Sequence, residues 1–169
     1  SISGTKTWEG GETADTPDNI VVQIQRLNPD TKEYEQAKDK SEERIPNQVV
    51  DINSGWWKYT FTGLLKYVDY KVEPKVKYEY RVVELGTLKS KDELNGTEPD
   101  PQNSDHIKSI AGYYPKYTEA EDGSYNITNK KTGTLKIIKK TGKDDFLEGA
   151  GFTLYTDPNT TNVAKDYLG

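Results

Sequence analysis

Three polar residues stand in phase with apolar neighbours along runs of strand-like composition: Lys6, Glu84 and Asn129. Alternation along a strand puts residues i and i+2 on one face. In Thr5-Lys6-Thr7-Trp8, Lys6 shares its face with Trp8, and in Tyr78–Glu84 the carboxyl follows Tyr78, Tyr80 and Val82. Asn129 follows Tyr125 and Ile127 in the same way. An amine, a carboxyl and a carboxamide are thereby aimed at a core from the first, a middle and the last strand. Burial disfavours charge, lowering a lysine pKa and raising a glutamate pKa. A neutral amine is a nucleophile, and a neutral carboxylic acid can donate to the Asn129 carboxamide oxygen and polarise its carbon. Attack by Lys6, proton shuttling through Glu84 and loss of ammonia would leave an amide between two side chains. Proximity alone supplies up to about 7–11 kcal/mol in well-aligned intramolecular reactions. Such a reaction is a single-turnover cross-link and not turnover catalysis. The competing reading is that each residue sits at a strand end and bends to water, since lysine and glutamate are almost never fully buried without partners.

Other chemistry is largely closed to this chain. Its 169 residues include no cysteine, no methionine and one histidine, His106. Disulfides, thiolate metal sites and cysteine nucleophiles are therefore excluded, and no imidazole pair is available to a metal. Neither a metal nor a cofactor is expected; the acidic stretch Asp100–Asp105 lacks EF-hand spacing. His106 lies in a polar stretch without an evident nucleophile, which gives an enzyme acting on external substrates little support. Basic residues number 23 against 28 acidic, for a net charge of −5, a balance that does not favour nucleic acid. No apolar run reaches the ~18 residues of a membrane helix, so membrane insertion is not expected. Ser1–Thr5 lacks the basic and apolar regions of a signal peptide and reads as the start of an excised fragment.

The elements that must position the three residues are strands. Val, Ile, Thr and Tyr cluster in short runs broken by Gly, Pro, Asn and Asp, which implies an all-β domain. The runs are Thr5–Trp8, Ile20–Leu27, Trp56–Phe61, Tyr78–Glu84 and Tyr125–Asn129, with weaker ones at Gln48–Ile52 and Tyr67–Val72. Seven such strands suit a β-sandwich. Two polar stretches interrupt them: Asn28–Asn47, in which Lys32–Lys38 has the composition of a helical turn or two, and Gly86–Ser109, expected to be an exposed loop. A connector, Lys130–Gly133, precedes a fresh β pattern at Thr134–Lys140 and Phe152–Tyr155. Residues 134–169 are too few for an independent sandwich. The expected organisation is one complete domain over residues 1–130, then a linker and the opening strands of an incomplete second domain over 131–169.

The order and spacing of these segments resembles the collagen-adhesin B-type (Cna B-type) domains of Gram-positive surface adhesins and pilins. Lys6-Thr7-Trp8 resembles the family's opening Lys-x-Trp strand, and Trp57–Leu64 its Trp-x-Tyr-x-Phe-x-x-Leu segment. Tyr78–Glu84 and Ile127-Thr128-Asn129 resemble its Glu-bearing and closing strands, so the resemblance covers nearly all of residues 5–130. It departs at Leu64-Leu65-Lys66-Tyr67, where the family usually has Leu-Pro-x-Tyr, and in the length of the two insertions. The resemblance implies an Ig-like (reverse-Ig, prealbumin-like) sandwich with a Lys6–Asn129 isopeptide bond assisted by Glu84. It also implies a stalk module of a cell-wall-anchored adhesin or pilus subunit on the bacterial surface. Its partners would be other domains of the same surface protein or pilus. The alternative is an adhesin module that grips host extracellular-matrix protein or carbohydrate through its inserted loops.

The tail is similar to the start of a pilin-type relative, with Leu147–Phe152 matching its Leu-x-Gly-Ala-x-Phe signature. Lys139, in phase with Leu135 and Ile137, would be that second domain's cross-linking lysine and is expected to be unbonded within this chain. Tyr114-Pro115-Lys116 resembles the motif whose lysine sortase joins to the next pilin, which makes Lys116 a candidate polymerisation lysine. The competing reading is a polar segment common before the closing strand. Trp56, Trp57 and Tyr59 could form a sugar-stacking platform, but alternation turns Trp57, Tyr59 and Phe61 inward and leaves Trp56 outside.

Overall fold

The apolar alternation does produce strands, and it produces more of them than the motifs alone mark. The computed structural model describes residues 1–12, 15–89, 94, 98–103, 105–133 and 153. The chain divides into two compact units, Ser1–Thr132 and Gly133–Gly169. Lys139 lies outside the described residues. The first unit contains β1 (Ile2–Glu9), β2 (Asn19–Leu27), β3 (Tyr34–Gln36), β4 (Gln48–Asp51) and β5 (Lys58–Phe61). It continues with β6 (Tyr80–Leu88), β7 (Ile107–Lys108), β8 (Tyr113–Glu119) and β9 (Tyr125–Lys131). Described strands number nine where about seven were expected, and the fold is an all-β, Ig-like sandwich.

One sheet runs β5-β1-β9-β8, and the other runs β3-β2-β6-β7 with β4 also paired to β2. The first and last strands are parallel neighbours, with Lys6 opposite Ile127 and Trp8 opposite Asn129. Between the sheets, Ile20, Val22, Ile24 and Val82 of one pack against Tyr59, Phe61 and Ile127 of the other. Gly4 is required where β1 passes its neighbours. A Cβ there would lie 1.9 Å from the Tyr125 carbonyl oxygen, which already accepts the Tyr59 hydroxyl.

β6 does not end at Glu84. Val22 pairs with Glu84 but Val21 with Gly86, so Leu85 is an extra residue, a β-bulge. Bulges re-aim the side chains beside them and increase local twist. Gly86 has a φ of 135°, and a Cβ on it would meet the Lys108 carbonyl oxygen at 2.3 Å. Beyond the bulge, described residues of the stretch expected to be an exposed loop pack on the outer face of its sheet. Leu88 and Leu94 join Val21 in a second apolar cluster, flanked by Val49, Leu85 and Ile107. β2 is consequently buried on both faces, which explains its unbroken Ile20-Val21-Val22 run.

Three further expectations are corrected. Lys32–Lys38 is not helical: Tyr34–Gln36 pairs with Gln25–Leu27 as β3. Tyr67–Val72 forms no strand, making only an isolated bridge from Tyr67 to Lys77. The run Trp56–Phe61 becomes strand only at Lys58, because Gly55, Trp56 and Trp57 have φ of 61°, 64° and 63°. Left-handed backbone cannot continue a ladder.

Candidate functional site

Lys6, Glu84 and Asn129 meet between the sheets. Lys6 is 2% exposed and Asn129 is fully buried, and both stand on the inner face of adjacent parallel strands. The pairing places them one diagonal step apart, a span a lysine stem covers. Glu84 arrives from the opposite sheet, its side chain 5% exposed. Its backbone N–H donates to the Tyr117 hydroxyl at 3.0 Å, tying the bulged strand to β8 across the sandwich.

One carboxyl touches both other groups. Asn129 Nδ2 donates to Glu84 Oε1 at 2.8 Å, while Glu84 Oε2 lies 3.7 Å from Lys6 Nζ. The amine donates to the Thr7 carbonyl oxygen at 2.9 Å and sits 3.5 Å from the centroid of the Trp8 ring. Two lone-pair atoms at the centre, Glu84 Oε2 and Asn129 Oδ1, are buried without a hydrogen-bond partner. An unsatisfied buried acceptor costs about 1–3 kcal/mol. The site is thus frustrated in this form.

Burial dominates the electrostatics. It pulls Lys6 down to about 8, against the opposing pull of Glu84. It also pushes Glu84 above its ordinary value, opposed first by the Lys6 charge and then by the Asn129 hydrogen bond. Transfer of one proton from ammonium to carboxylate removes two buried charges at once. The resulting neutral amine and neutral acid are the species that acyl transfer at Asn129 needs.

All three residues singled out by strand phase therefore come together. Strand phase alone did not find the Trp8 ring as a platform for the amine, although Trp8 shares the Lys6 face, nor Tyr117, which lies on an unforeseen strand. Lys116 is exposed in the middle of β8, opposite Thr128. Because β8 is an edge strand, Pro115 is tolerated there. Trp56 is 74% exposed, whereas Tyr59 and Phe61 are buried. His106 is engaged structurally, its Nδ1 accepting the Asp100 N–H at 3.1 Å. Among the described residues no group of three or more His, Asp or Glu side chains is placed to hold a metal ion. Nor is any helix there long and apolar enough to cross a membrane.

No protein-family model and no curated protein matches the sequence. The chain is similar to the crystal structure of a single B repeat unit (B1) of the collagen binding surface protein Cna of Staphylococcus aureus. That similarity has a TM-score of 0.46 and 16% identity over 78% of this chain and 50% of that one. It is also similar to the pilus adhesin SpaC from Lactobacillus rhamnosus GG, with a TM-score of 0.44 and 16% identity over 97% of this chain and 17% of that one. Neither likeness identifies the chain, which spans half or less of each of those structures.

Proposed function

We propose that residues 1–130 form a self-cross-linking structural module of a bacterial surface adhesin or pilus subunit. The observation that carries this reading is a single buried carboxyl in contact with both a buried amine and a buried carboxamide, on strands from the two ends of the domain. Glu84 accepts a proton from Lys6, and the freed amine attacks Asn129 Cγ while the acid hydrogen-bonds the carboxamide oxygen. The Nζ–Cγ bond forms and the Cγ–Nδ2 bond breaks; Glu84 delivers its proton to the departing nitrogen, which leaves as ammonia, and takes up the second proton that the attacking nitrogen sheds in becoming an amide. Atoms balance with no external reagent, and the orphaned lone pairs of the precursor are the driving contacts.

An amide between β1 and β9 braces the two strands against peeling when force is applied at the ends of the domain. In this reading the module is a stalk on the cell surface, its partners are neighbouring domains of the same protein or pilus, and it turns over no external substrate. Residues 131–169 then open a second module, with Lys139 unpaired in this chain.

Intact mass spectrometry tests the reading. The chain is expected to be lighter than its sequence mass by one ammonia, with the full mass restored in Lys6→Ala, Glu84→Ala and Asn129→Ala. A wild-type mass equal to the sequence mass would refute the cross-link, and loss of a second ammonia would refute the assignment of Lys139.

A further inference from the structure

We infer that the groove between Thr16–Asp18 and the β4–β5 turn is a binding subsite for a neutral saccharide. It has a volume of about 520 Å³ and is lined by Trp8, Pro17, Asp18, Asp51, Asn53 and Trp57, among others. That size lies in the range of small-ligand sites. It is separate from both long insertions and does not rest on the cross-link.

The two indoles set the shape. Trp8 and Trp57 meet edge to face, their centroids 5.9 Å apart and their planes at 80°. Two perpendicular rings make a corner in which one offers a flat face and the other a wall. Trp57 is held there by backbone that bulky side chains avoid: two successive tryptophans with positive φ follow Gly55. The turn is locked by Trp57 N–H donating to the Asp51 carbonyl at 3.0 Å, and by Lys6 N–H donating to the Trp57 carbonyl at 2.8 Å. Residues in sparsely populated backbone regions persist where surrounding structure over-determines them, and they cluster at ligand sites.

The polar lining selects the ligand. Asp18, Asp51, Asn53 and Thr16 supply carboxylate, amide and hydroxyl groups, and among the described residues no Lys, Arg or His lines the groove. Anionic ligands, including sialylated or uronic sugars, are repelled by the two carboxylates. The flat indole faces suit the C–H face of a pyranose, and the rim oxygens suit its hydroxyls. Asp51 Oδ1 already accepts Asn53 N–H, Ser54 N–H and the Ser54 hydroxyl. That oxygen is therefore already engaged by three donors and held in place as part of a rigid polar rim.

The test is an NMR titration of the intact chain, reading its three indole N–H signals against a panel of neutral probes: lactose, cellotriose, mannotriose and chitotriose. Sialyllactose and a lysine-rich peptide are the comparisons. Saturable shifts of the Trp8 and Trp57 signals with at least one neutral sugar are expected, with no response to sialyllactose. Asp18→Asn, on the exposed rim, and Trp57→Ala are each expected to weaken binding about tenfold, the scale of one lost polar or stacking contact. Trp57→Phe should retain part of it. Because Trp57 also packs on the core, a folded state for each variant is established by its urea midpoint, and Asp18→Asn carries the result if Trp57→Ala unfolds. Silence across all neutral probes, shifts that ignore Asp18→Asn in a folded protein, or a response to the basic peptide alone would overturn the proposal.

Discussion

The sheet containing β2 and β6 buries polar side chains on both of its faces, and the two sets are treated in opposite ways. On the outer face the side chains of Gln23, Gln25, Asn47 and Arg81 pair with one another and with the backbone. Gln23 Nε2 donates to Asn47 Oδ1 at 3.1 Å, Gln25 Nε2 to Gln23 Oε1 at 2.8 Å, and Arg81 Nε to Gln25 Oε1 at 2.8 Å. Asn47 closes the network through its Nδ2 to the Pro99 carbonyl at 2.9 Å and its N–H to Glu98 Oε1 at 2.6 Å. On the inner face, Lys6, Glu84 and Asn129 leave two acceptors unmatched. A satisfied polar network rigidifies a fold, whereas a frustrated one that a covalent step can resolve is poised to react. Exposure or charge alone does not separate the two sets. Completeness of pairing does.

Breaking the inner set should have the largest consequence. Glu84→Gln preserves shape but removes the proton carrier, so the chain should keep its full mass. Without a cross-link closing a loop of more than a hundred residues, unfolding should become easier by about 5 kcal/mol, judged by urea denaturation. An unchanged midpoint together with an unchanged mass would show that the inner set is ordinary polar packing.

The bulge that follows Glu84 is the next lever. Gly86→Ala forces a Cβ against the Lys108 carbonyl from a φ of 135°, and should destabilise by about 1–3 kcal/mol. It should also slow ammonia loss in a mass-spectrometric time course, because Glu84 is displaced. On the outer face, Asn47→Ala strands Gln23 Nε2 and the Pro99 carbonyl and should cost about 2 kcal/mol, with the ammonia-deficient mass intact. If that variant lost the cross-link, the two faces would not be independent.

A pH series sharpens the contrast further. Reaction needs Lys6 unprotonated and Glu84 protonated, a pair that shares a single proton between the raised Glu84 value and about 8 for Lys6. Below that window Lys6 keeps its proton beside a protonated Glu84, and above it Glu84 has lost the one it must deliver. The rate of ammonia loss on refolding unreacted chain should therefore be bell-shaped, falling on both sides. A rate rising steadily through alkaline pH would show that Glu84 is not the proton carrier. The smallest effect belongs to Trp56→Ala: at 74% exposure it should shift stability by about 0.5 kcal/mol or less, leaving the mass unaltered.

Much of this was legible in the residues themselves. The phase of Lys6 with Trp8, of Glu84 with Val82 and of Asn129 with Ile127 depends only on a two-residue repeat, a local property. What escaped was set by neighbours. β8 was hidden because Pro115 breaks the strand signal, yet an edge strand needs no N–H on its open side. β3 was hidden in a charged stretch whose helical composition yields to pairing with β2. Gly86–Ser109 reads as solvent-exposed by polarity, but Leu88, Leu94 and Ile107 find Val21 on the outer face of the sheet. Left-handed backbone at Trp56 and Trp57 cut short a strand that alternation would have extended.

The sequence by itself determined which side chains turn inward, because alternation is dictated by the geometry of a single strand. Only the tertiary structure decided that Lys6, Glu84 and Asn129 share one point. That required the first and last strands to be parallel neighbours and a second sheet to lie across the core, both products of long-range pairing. The same pairing excluded the water that would otherwise hold the Lys6 amine and the Glu84 carboxyl at their ordinary pKa values.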